Sequence, residues 1–472
     1  MPRLNLPRIS AALLSAGAVI SLLLVGCADA ETETAAETEP DVSHLDCGHG
    51  LPLEQTMASG SSWSMCFSVD PKRGMVLSDI HFAAADREPV QLIHELSLAQ
   101  MEVPYDDGER LTSDITEAGF GGTRMHSLTE TECLGDRLAL EIPNIGDGTQ
   151  HGDSPEREVL CSETQDSGLA YRSHADGMLT VARGDEWRLS TISKVGWYEY
   201  ISEYTFGSDG SIRPALGATG DLSPVDYTDE DHGWPVGDGD ADYAASHSHN
   251  VVWKVHWDLG EDEEMAVEQY DAEPTGDAGS QSPVVDGSLT RISEPSAHHG
   301  DDRRWWRVMA PDLLNDNGHP ISYEINLGVT DSFTFVEEGH HHGEDAGYDI
   351  AFTNHDECQV FATRNRGGCG RTVLDYIDED DTGTLEDIVS WVAIGYHHVP
   401  RDEDQSPMEM HWQSFTMGPR DFTSTRADVP EEREGIDGMP EDSEFTRHLD
   451  DDHDGSDIDL DELDDLEEPQ DD

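Results

Sequence analysis

Basic residues are scarce in this chain. Only 27 Lys and Arg stand against 101 Asp and Glu over 472 residues, for a formal net charge of −74. A surface so acidic opposes nucleic acid and anionic lipid as partners and favours cations. Its plain reading is a salt-adapted surface. Beyond residue 26 the chain lacks any run of about 18 uninterrupted apolar residues, the length a membrane-spanning helix needs. No Cys-x-x-Cys pair marks a zinc knuckle, no segment repeats, and few windows have amphipathic helical periodicity. Hydrophobic content is low, at 36%, but sufficient for a core because the acidic excess is concentrated in loops and at the ends.

The N-terminus reads as an export signal rather than part of a fold. Arg3 and Arg8 precede an apolar stretch over residues 9–26, and Leu24-Val25-Gly26-Cys27 resembles a bacterial lipobox, with Cys27 as the lipidated residue. The expectation is an exported lipoprotein of the cell envelope, anchored rather than spanning. A plain signal peptide is the competing reading. Residues 27–45 are acidic and rich in Thr, Ala and Glu, a solvated tether. Export permits disulfides. Six cysteines remain after Cys27, and pairing of sequence neighbours gives Cys47 with Cys66, Cys133 with Cys161, and Cys358 with Cys369.

From Ser61 the pattern becomes strand-like. Ser62–Val69 alternates apolar with small polar residues, Asp70–Gly74 carries Pro and Gly at turn positions, and Met75–Phe82 reads as the returning strand. Further strands are expected over Trp187–Ile192, Val251–Val255 and Ile388–Ile394. Short strands separated by Gly, Asp and Pro turns over residues 46–425 predict one all-β domain, a large antiparallel β-sandwich. Residues 426–472 collapse into acidic low complexity and are expected to be disordered.

Three groups of residues carry the chemistry. Thr191–Gly220 contains Tyr198-Glu199-Tyr200, then Asp209-Gly210-Ser211-Ile212, then Ala218-Thr219-Gly220. His247 and His249 form a His-x-His, and on a strand both imidazoles share a face. His398 sits in Gly395-Tyr396-His397-His398-Val399-Pro400-Arg401, followed by Glu403-Asp404. His397, adjacent to it, points to the opposite face of a strand. Three imidazoles with an open position suit copper or zinc. The clusters His298-His299 and His340-His341-His342 lie among Gly, Asp and Glu and read as solvated loops.

Taken together, these segments resemble the copper amine oxidases, which build a quinone cofactor, topaquinone, from one of their own tyrosines. The resemblance implies the β-sandwich of that catalytic domain, without the family's smaller N-terminal domains. It implies Cu²⁺ on His247, His249 and His398, and Tyr198 as the topaquinone precursor. Val103-Pro104-Tyr105 matches the place of a tyrosine that hydrogen-bonds the quinone oxygen; a packed strand tyrosine is the competing reading of Tyr105. Cys133-Leu134-Gly135 and Val159-Leu160-Cys161 match a bridged pair. The implied reaction converts a primary amine and O₂ to an aldehyde, ammonia and H₂O₂, in a homodimer.

The sequence departs from the family in four places, one of them Ser406, which replaces the usual Trp before Pro407. Where the family has its proton-accepting Asp, the register over Thr116–Gly122 places Thr116, whose hydroxyl is too weak a base near neutral pH. Asp114, on the same face of a regular strand as Thr116, and Glu117, which faces away, are the two substitutes; the third reading is no base at all. Trp197 replaces a small Asn and is expected to crowd the cofactor ring or substrate pocket. At the peripheral Ca²⁺ site of some members, Asp258 and Asp387 fit two positions, but His256 replaces the first Asp. Two other functions stand beside the oxidase: a catalytically silent copper-binding lipoprotein scaffold, and an all-β zinc hydrolase using the same histidines.

Overall fold

The computed structural model describes residues 44–429, apart from 142–155, 176–177, 224–229, 239–242, 262, 329, 331–346, 366–368 and 380–381. The signal and acidic-tail readings, Cys27 and His340-His341-His342 lie outside the described residues. The last tether residues do not: His44 packs edge-on against His81 at 5.1 Å and bonds the Ser64 hydroxyl at 2.9 Å. At the other end the packed chain runs a few residues past 425. Ala427 and Asp428 are buried, and Arg426 forms a bidentate pair with Asp428.

Two large antiparallel sheets, of nine and eleven strands, form the sandwich. At the middle of the nine-stranded sheet lie Val90–Pro104, His247–Trp257 and Ile388–His398. The eleven-stranded sheet places Met178–Val195, Tyr198–Gly207 and Ile212–Gly220 side by side. The strands expected over Ser62–Val69, Met75–Phe82, Trp187–Ile192, Val251–Val255 and Ile388–Ile394 all form. Among the described residues no helix is long and apolar enough to cross a membrane.

The main core lies between the sheets. Trp63 of one sheet meets Phe206 of the other at 5.0 Å. Trp63, Trp187, Trp253, Trp257, Trp306 and Trp391 are all fully buried. Five of their indole N–H groups donate to protein acceptors, for example Trp63 to the Gly207 carbonyl at 2.9 Å and Trp257 to the Ser390 hydroxyl at 2.9 Å. Each such ring is worth about 3–5 kcal/mol against truncation to Ala.

A second core covers the outer face of the nine-stranded sheet. There Val252, Trp391 and Ala393 pack under Val373 of the short helix Val373–Ile377. This explains why His247–Trp257 is buried almost throughout: odd positions from His247 to Trp257 face the partner sheet, and even positions face the cover. All three disulfides pair neighbours in sequence, with Cα separations of 5.3 Å (Cys47–Cys66), 5.5 Å (Cys133–Cys161) and 5.2 Å (Cys358–Cys369).

One expectation fails locally. Residues 114–118 are not a strand. After pairing over Leu111–Ser113 the chain coils into a single π-helical turn, Asp114–Ala118, closed by the Gly119 N–H on the Asp114 carbonyl at 2.7 Å. Gly119 has φ +86°, and a Cβ there would lie 2.5 Å from the Pro71 carbonyl oxygen, so a side chain is excluded.

Gly220 sits opposite Tyr198 in the ladder, at φ +111° and with space for a Cβ only 2.5 Å from the Trp197 carbonyl oxygen. Gly220→Ala is expected to cost about 1–3 kcal/mol from backbone strain alone, read as a lower denaturant midpoint. An unchanged midpoint would show that the hairpin relaxes freely.

Candidate metal and redox site

The site is assembled by register. Across the antiparallel ladder His247 lies opposite His398, and His249 opposite Tyr396. Tyr198 begins its strand on the facing sheet, after the two-residue turn Gly196-Trp197 that links it to Val195. The four side chains therefore meet inside one end of the sandwich. His247 is 3% exposed, His249 1%, His398 1% and Tyr198 6%.

The Tyr198 hydroxyl lies 2.8 Å from His247 Nε2 and 3.2 Å from His398 Nδ1. The His249 ring stands edge-on to Tyr198 at 4.9 Å. Imidazole centroids are 5.0 Å (His247–His249), 4.9 Å (His247–His398) and 6.2 Å (His249–His398) apart. One ligand atom from each lies within 4.8 Å of the others.

Second contacts fix which nitrogen each ring offers. His247 Nδ1 lies 2.9 Å from the Ala245 carbonyl, so it donates there and leaves the Nε2 lone pair facing inward. His398 Nε2 lies 3.1 Å from Asp404 Oδ2, which leaves Nδ1 inward. Both ring nitrogens of His249 are buried without a hydrogen-bond partner among the described residues. Burial, reinforced by His398, pushes His247 down to about 3. Burial pushes His249 well below its usual value and lowers His398 as well. All three are neutral at physiological pH, the state a metal ligand requires. Three neutral imidazoles, with one orphaned and two oriented by second contacts, fit a borderline divalent ion such as Cu²⁺ or Zn²⁺.

Tyr198 belongs to a ladder of rings. It stacks on Tyr200 at 5.8 Å, which stacks on Phe120 at 5.1 Å. Burial raises the Tyr198 phenol well above its usual range, and Tyr105 and Asp404 add to this. The Tyr105 ring lies 5.0 Å from His247, capped on its other side by the Arg110 guanidinium at 3.4 Å.

Of the two candidate carboxylates, only Asp114 reaches the site. It is 8% exposed, and the Tyr200 hydroxyl donates to its Oδ2 at 3.2 Å. Burial pushes its carboxyl up to about 6, against hydrogen bonds from Thr112 and Tyr200. Glu117 lies elsewhere: its side chain is 45% exposed and pairs with Arg364 at 2.9 Å. Thr116 accepts from the Gln100 side chain at 3.2 Å. The π-helical turn, rather than strand alternation, separates Asp114 from Glu117. Trp197 occupies the hairpin turn, 47% exposed, with no ring contact to Tyr198 among the described aromatic pairs; the turn carries the indole outward instead of crowding the ring. His397 also points away, pairing with Asp106 at 3.0 Å. His298 bonds the Ser296 hydroxyl at 2.9 Å, and His299 lies 3.5 Å from Asp349.

Sequence reasoning missed the outer contacts. Asp404 is 1% exposed, binds His398 and lies 3.7 Å from His411. Tyr396 bonds His411 Nδ1 at 3.0 Å. Tyr200 was accessible from the Tyr-x-Tyr spacing, since period two puts it on the face of Tyr198. Asp404 and His411 lie beyond a turn, where no period applies.

In sequence and fold the chain is similar to several known proteins. The family profile described as copper amine oxidase, enzyme domain, matches residues 53–434. Histamine oxidase of Arthrobacter globiformis is 25% identical over 398 residues, covering 79% of this chain and 57% of that protein. Copper methylamine oxidase of Arthrobacter sp. (strain P1) is 25% identical over 412 residues, covering 79% of this chain and 61% of that one. The chain thus spans about three fifths of the length of these relatives. A copper-containing benzylamine oxidase from Hansenula polymorpha shares the fold, with a TM-score of 0.66 and 21% identity, covering 83% of this chain and 66% of that one.

Asp404→Asn is expected to weaken divalent-metal binding about 10- to 100-fold, because the carboxylate that orients His398 is lost. Calorimetric titration with Cu²⁺ checks this, and an unchanged affinity would remove Asp404 from the site.

Proposed function

The chain belongs to the copper amine oxidase family, and from that premise we propose that it oxidises primary amines, with the balance RCH₂NH₂ + O₂ + H₂O → RCHO + NH₃ + H₂O₂. The observation that carries this reading is the Tyr198 hydroxyl, set 2.8 Å and 3.2 Å from the inward nitrogens of His247 and His398. In this reading His247, His249 and His398 hold Cu²⁺, and Tyr198 is the residue converted to topaquinone. Together the bound cupric ion and the quinone supply the electrophile for the amine and the electron sink that returns electrons to O₂.

The chain's own residues do the rest. The stack of Tyr198 on Tyr200 and Phe120 holds the reacting ring in one plane. Tyr105, against His247 and under the Arg110 guanidinium, supplies a second phenol at the border of the site. Asp114 is the base: its carboxylate takes the α-proton of the substrate, and the Tyr200 O–H on Oδ2 keeps one oxygen oriented. A carboxyl with its pKa near 6 combines adequate basicity with ionisation at neutral pH. The buried setting excludes bulk water from that proton.

A second reading keeps the copper site without turnover. It is favoured by Thr116, which stands in the register of the family's base, carries no carboxylate and is tied to Gln100. The proposal extends to assembly and location. The hairpins built on Glu156–Ala175 with Met178–Val195, and on Ala266–Ala278 with Pro283–Ile292, expose Leu169, Leu179, Val181, Val284, Val285 and Leu289. Apolar side chains on such arms support a homodimer. Lipidation at Cys27 would tether the domain to an envelope membrane.

Three outcomes are expected. Copper-loaded protein given methylamine or benzylamine releases peroxide, and the peptide containing residue 198 gains mass on aerobic copper loading. Tyr198→Phe abolishes both, whereas mass gain in the parent chain without peroxide from any primary amine selects the silent reading. Asp114→Asn lowers kcat about 100- to 10,000-fold, while Glu117→Gln leaves it unchanged; the reverse pattern overturns the assignment of the base. In the parent, kcat/KM rises with pH through about 6 as Asp114 ionises.

Stability moves the other way. A carboxyl that holds its proton more tightly folded than unfolded loses stability as pH climbs from the unfolded value of 3.8 through about 6. Asp114→Asn is therefore expected to be more stable than the parent by about 3 kcal/mol above pH 6, and no more stable below pH 3.8. Denaturant melts at two pH values check this.

A further inference from the structure

Outside the triad, imidazoles also gather at the far end of the His247 strand. There His256 stacks on His355 with centroids 4.1 Å apart and lies 2.6 Å from Asp387. Among the described residues no three ligand atoms within 4.8 Å of one another include Asp387 or Asp258, so that cluster presents no compact ligand set.

The group against His398 differs. Ligand atoms of His398, Asp404 and His411 all lie within 4.8 Å of one another. The three residues come from different elements. His398 ends strand Ile388–His398 of the nine-stranded sheet, Asp404 closes the 3₁₀ turn Asp402–Asp404, and His411 lies on strand Met408–Ser414. That last strand belongs to the facing sheet, where His411 pairs with Ala218, itself opposite Tyr200. The sheet that brings Tyr198 to one nitrogen of His398 thus brings His411 to the surroundings of the other. The His411 ring lies 4.8 Å from the His398 ring and stacks on Tyr396 at 5.0 Å.

The protons of this group can be assigned. His411 Nε2 faces Asp404 Oδ1 at 3.7 Å, and a nitrogen facing a carboxylate carries the proton. In the neutral ring Nδ1 is then an acceptor, and the Tyr396 O–H donates to it at 3.0 Å. The other Asp404 oxygen already accepts from His398 Nε2 at 3.1 Å and from the Arg401 N–H at 3.1 Å. Asp404 Oδ1 and His411 Nε2 are both buried without a hydrogen bond among the described residues, although they face each other. Their separation is roughly 0.8 Å beyond a normal N–H···O bond, and closing it satisfies two buried polar atoms at once. Arg401 Nε, at 3.6 Å, is the competing partner for Oδ1. Its side chain is 48% exposed and also pairs with Glu409, whereas that of His411 is 12% exposed.

We propose that His411 is a positioning residue of the metal site: it holds the free oxygen of Asp404, which keeps the carboxylate turned onto His398 Nε2 and leaves His398 Nδ1 facing inward. This role rests on the reading that His247, His249 and His398 hold Cu²⁺. His411 acts through Asp404 and not on the ion. Without it, Oδ1 has only Arg401 to turn to, and rotation of the carboxylate toward that side chain draws Oδ2 off His398.

The test is a calorimetric Cu²⁺ titration of the full chain, with the copper electron paramagnetic resonance spectrum recorded for each sample. His411→Phe keeps the ring stack but has no donor, and is expected to lower Cu²⁺ affinity about 10-fold and to change the copper hyperfine splitting. His411→Gln, whose amide can reach the same oxygen, should restore both to near the parent values. In an Asp404→Asn background His411→Phe should cost nothing further, because the two side chains act as one unit. An affinity for His411→Phe equal to the parent's, a loss of equal size in both backgrounds, or a Gln variant as weak as the Phe variant overturns the proposal. A parent-like titration and spectrum in His249→Ala would instead remove the copper site itself and the role of His411 with it, so the two failures are distinguishable.

Discussion

The pairing of His247 with His398 is the constraint on which the rest of the site depends. The two residues are directly opposite on neighbouring strands, so their rings leave the sheet side by side. A slip of one residue would turn His247 and His249 to the covered face and bring His256 and Lys254 inward. Slippage is opposed by packing on both faces. Trp253 and Trp257 fill the inter-sheet core, while Val252 sits under the cover with Trp391 and Val373. The register of the histidines is held by aromatic rings far from them, while the Ala245 carbonyl and Asp404 set the orientation of the His247 and His398 rings.

Charge follows a similar logic. A chain with 101 acidic residues has to keep them out of its centre. The few buried carboxylates near the site are each tied to a partner: Asp404 to His398 and Asp114 to Tyr200. Asp114 remains strained by its surroundings, since burial outweighs its hydrogen bonds. Burial and hydrogen bonding thus oppose one another at Asp114, the setting in which carboxyl groups depart most from their ordinary behaviour.

Much of this was legible in the residues. Period two carried the strands from Ser62 to Phe82, and it placed His247 beside His249. Neighbour pairing of cysteines gave all three bridges. The failures share one cause. Over Asp114–Ala118 the chain leaves the strand for a π-helical turn, and at Trp197 it turns through a hairpin. Alternation stops being a guide at such points. Asp404, His411 and Arg110 lie in or beyond turns as well, and His355 joins His256 only through tertiary folding. Such contacts have no local signature, because nothing in the spacing of residues records which loop returns to which strand.

The Tyr198 hydroxyl rests between two inward-facing nitrogens, and its ring is third in a pile with Tyr200 and Phe120. The hydroxyl, the two imidazoles and the aromatic pile therefore form one packed unit, so a change in the Tyr200 or Phe120 ring is transmitted to the Tyr198 hydroxyl without touching either histidine.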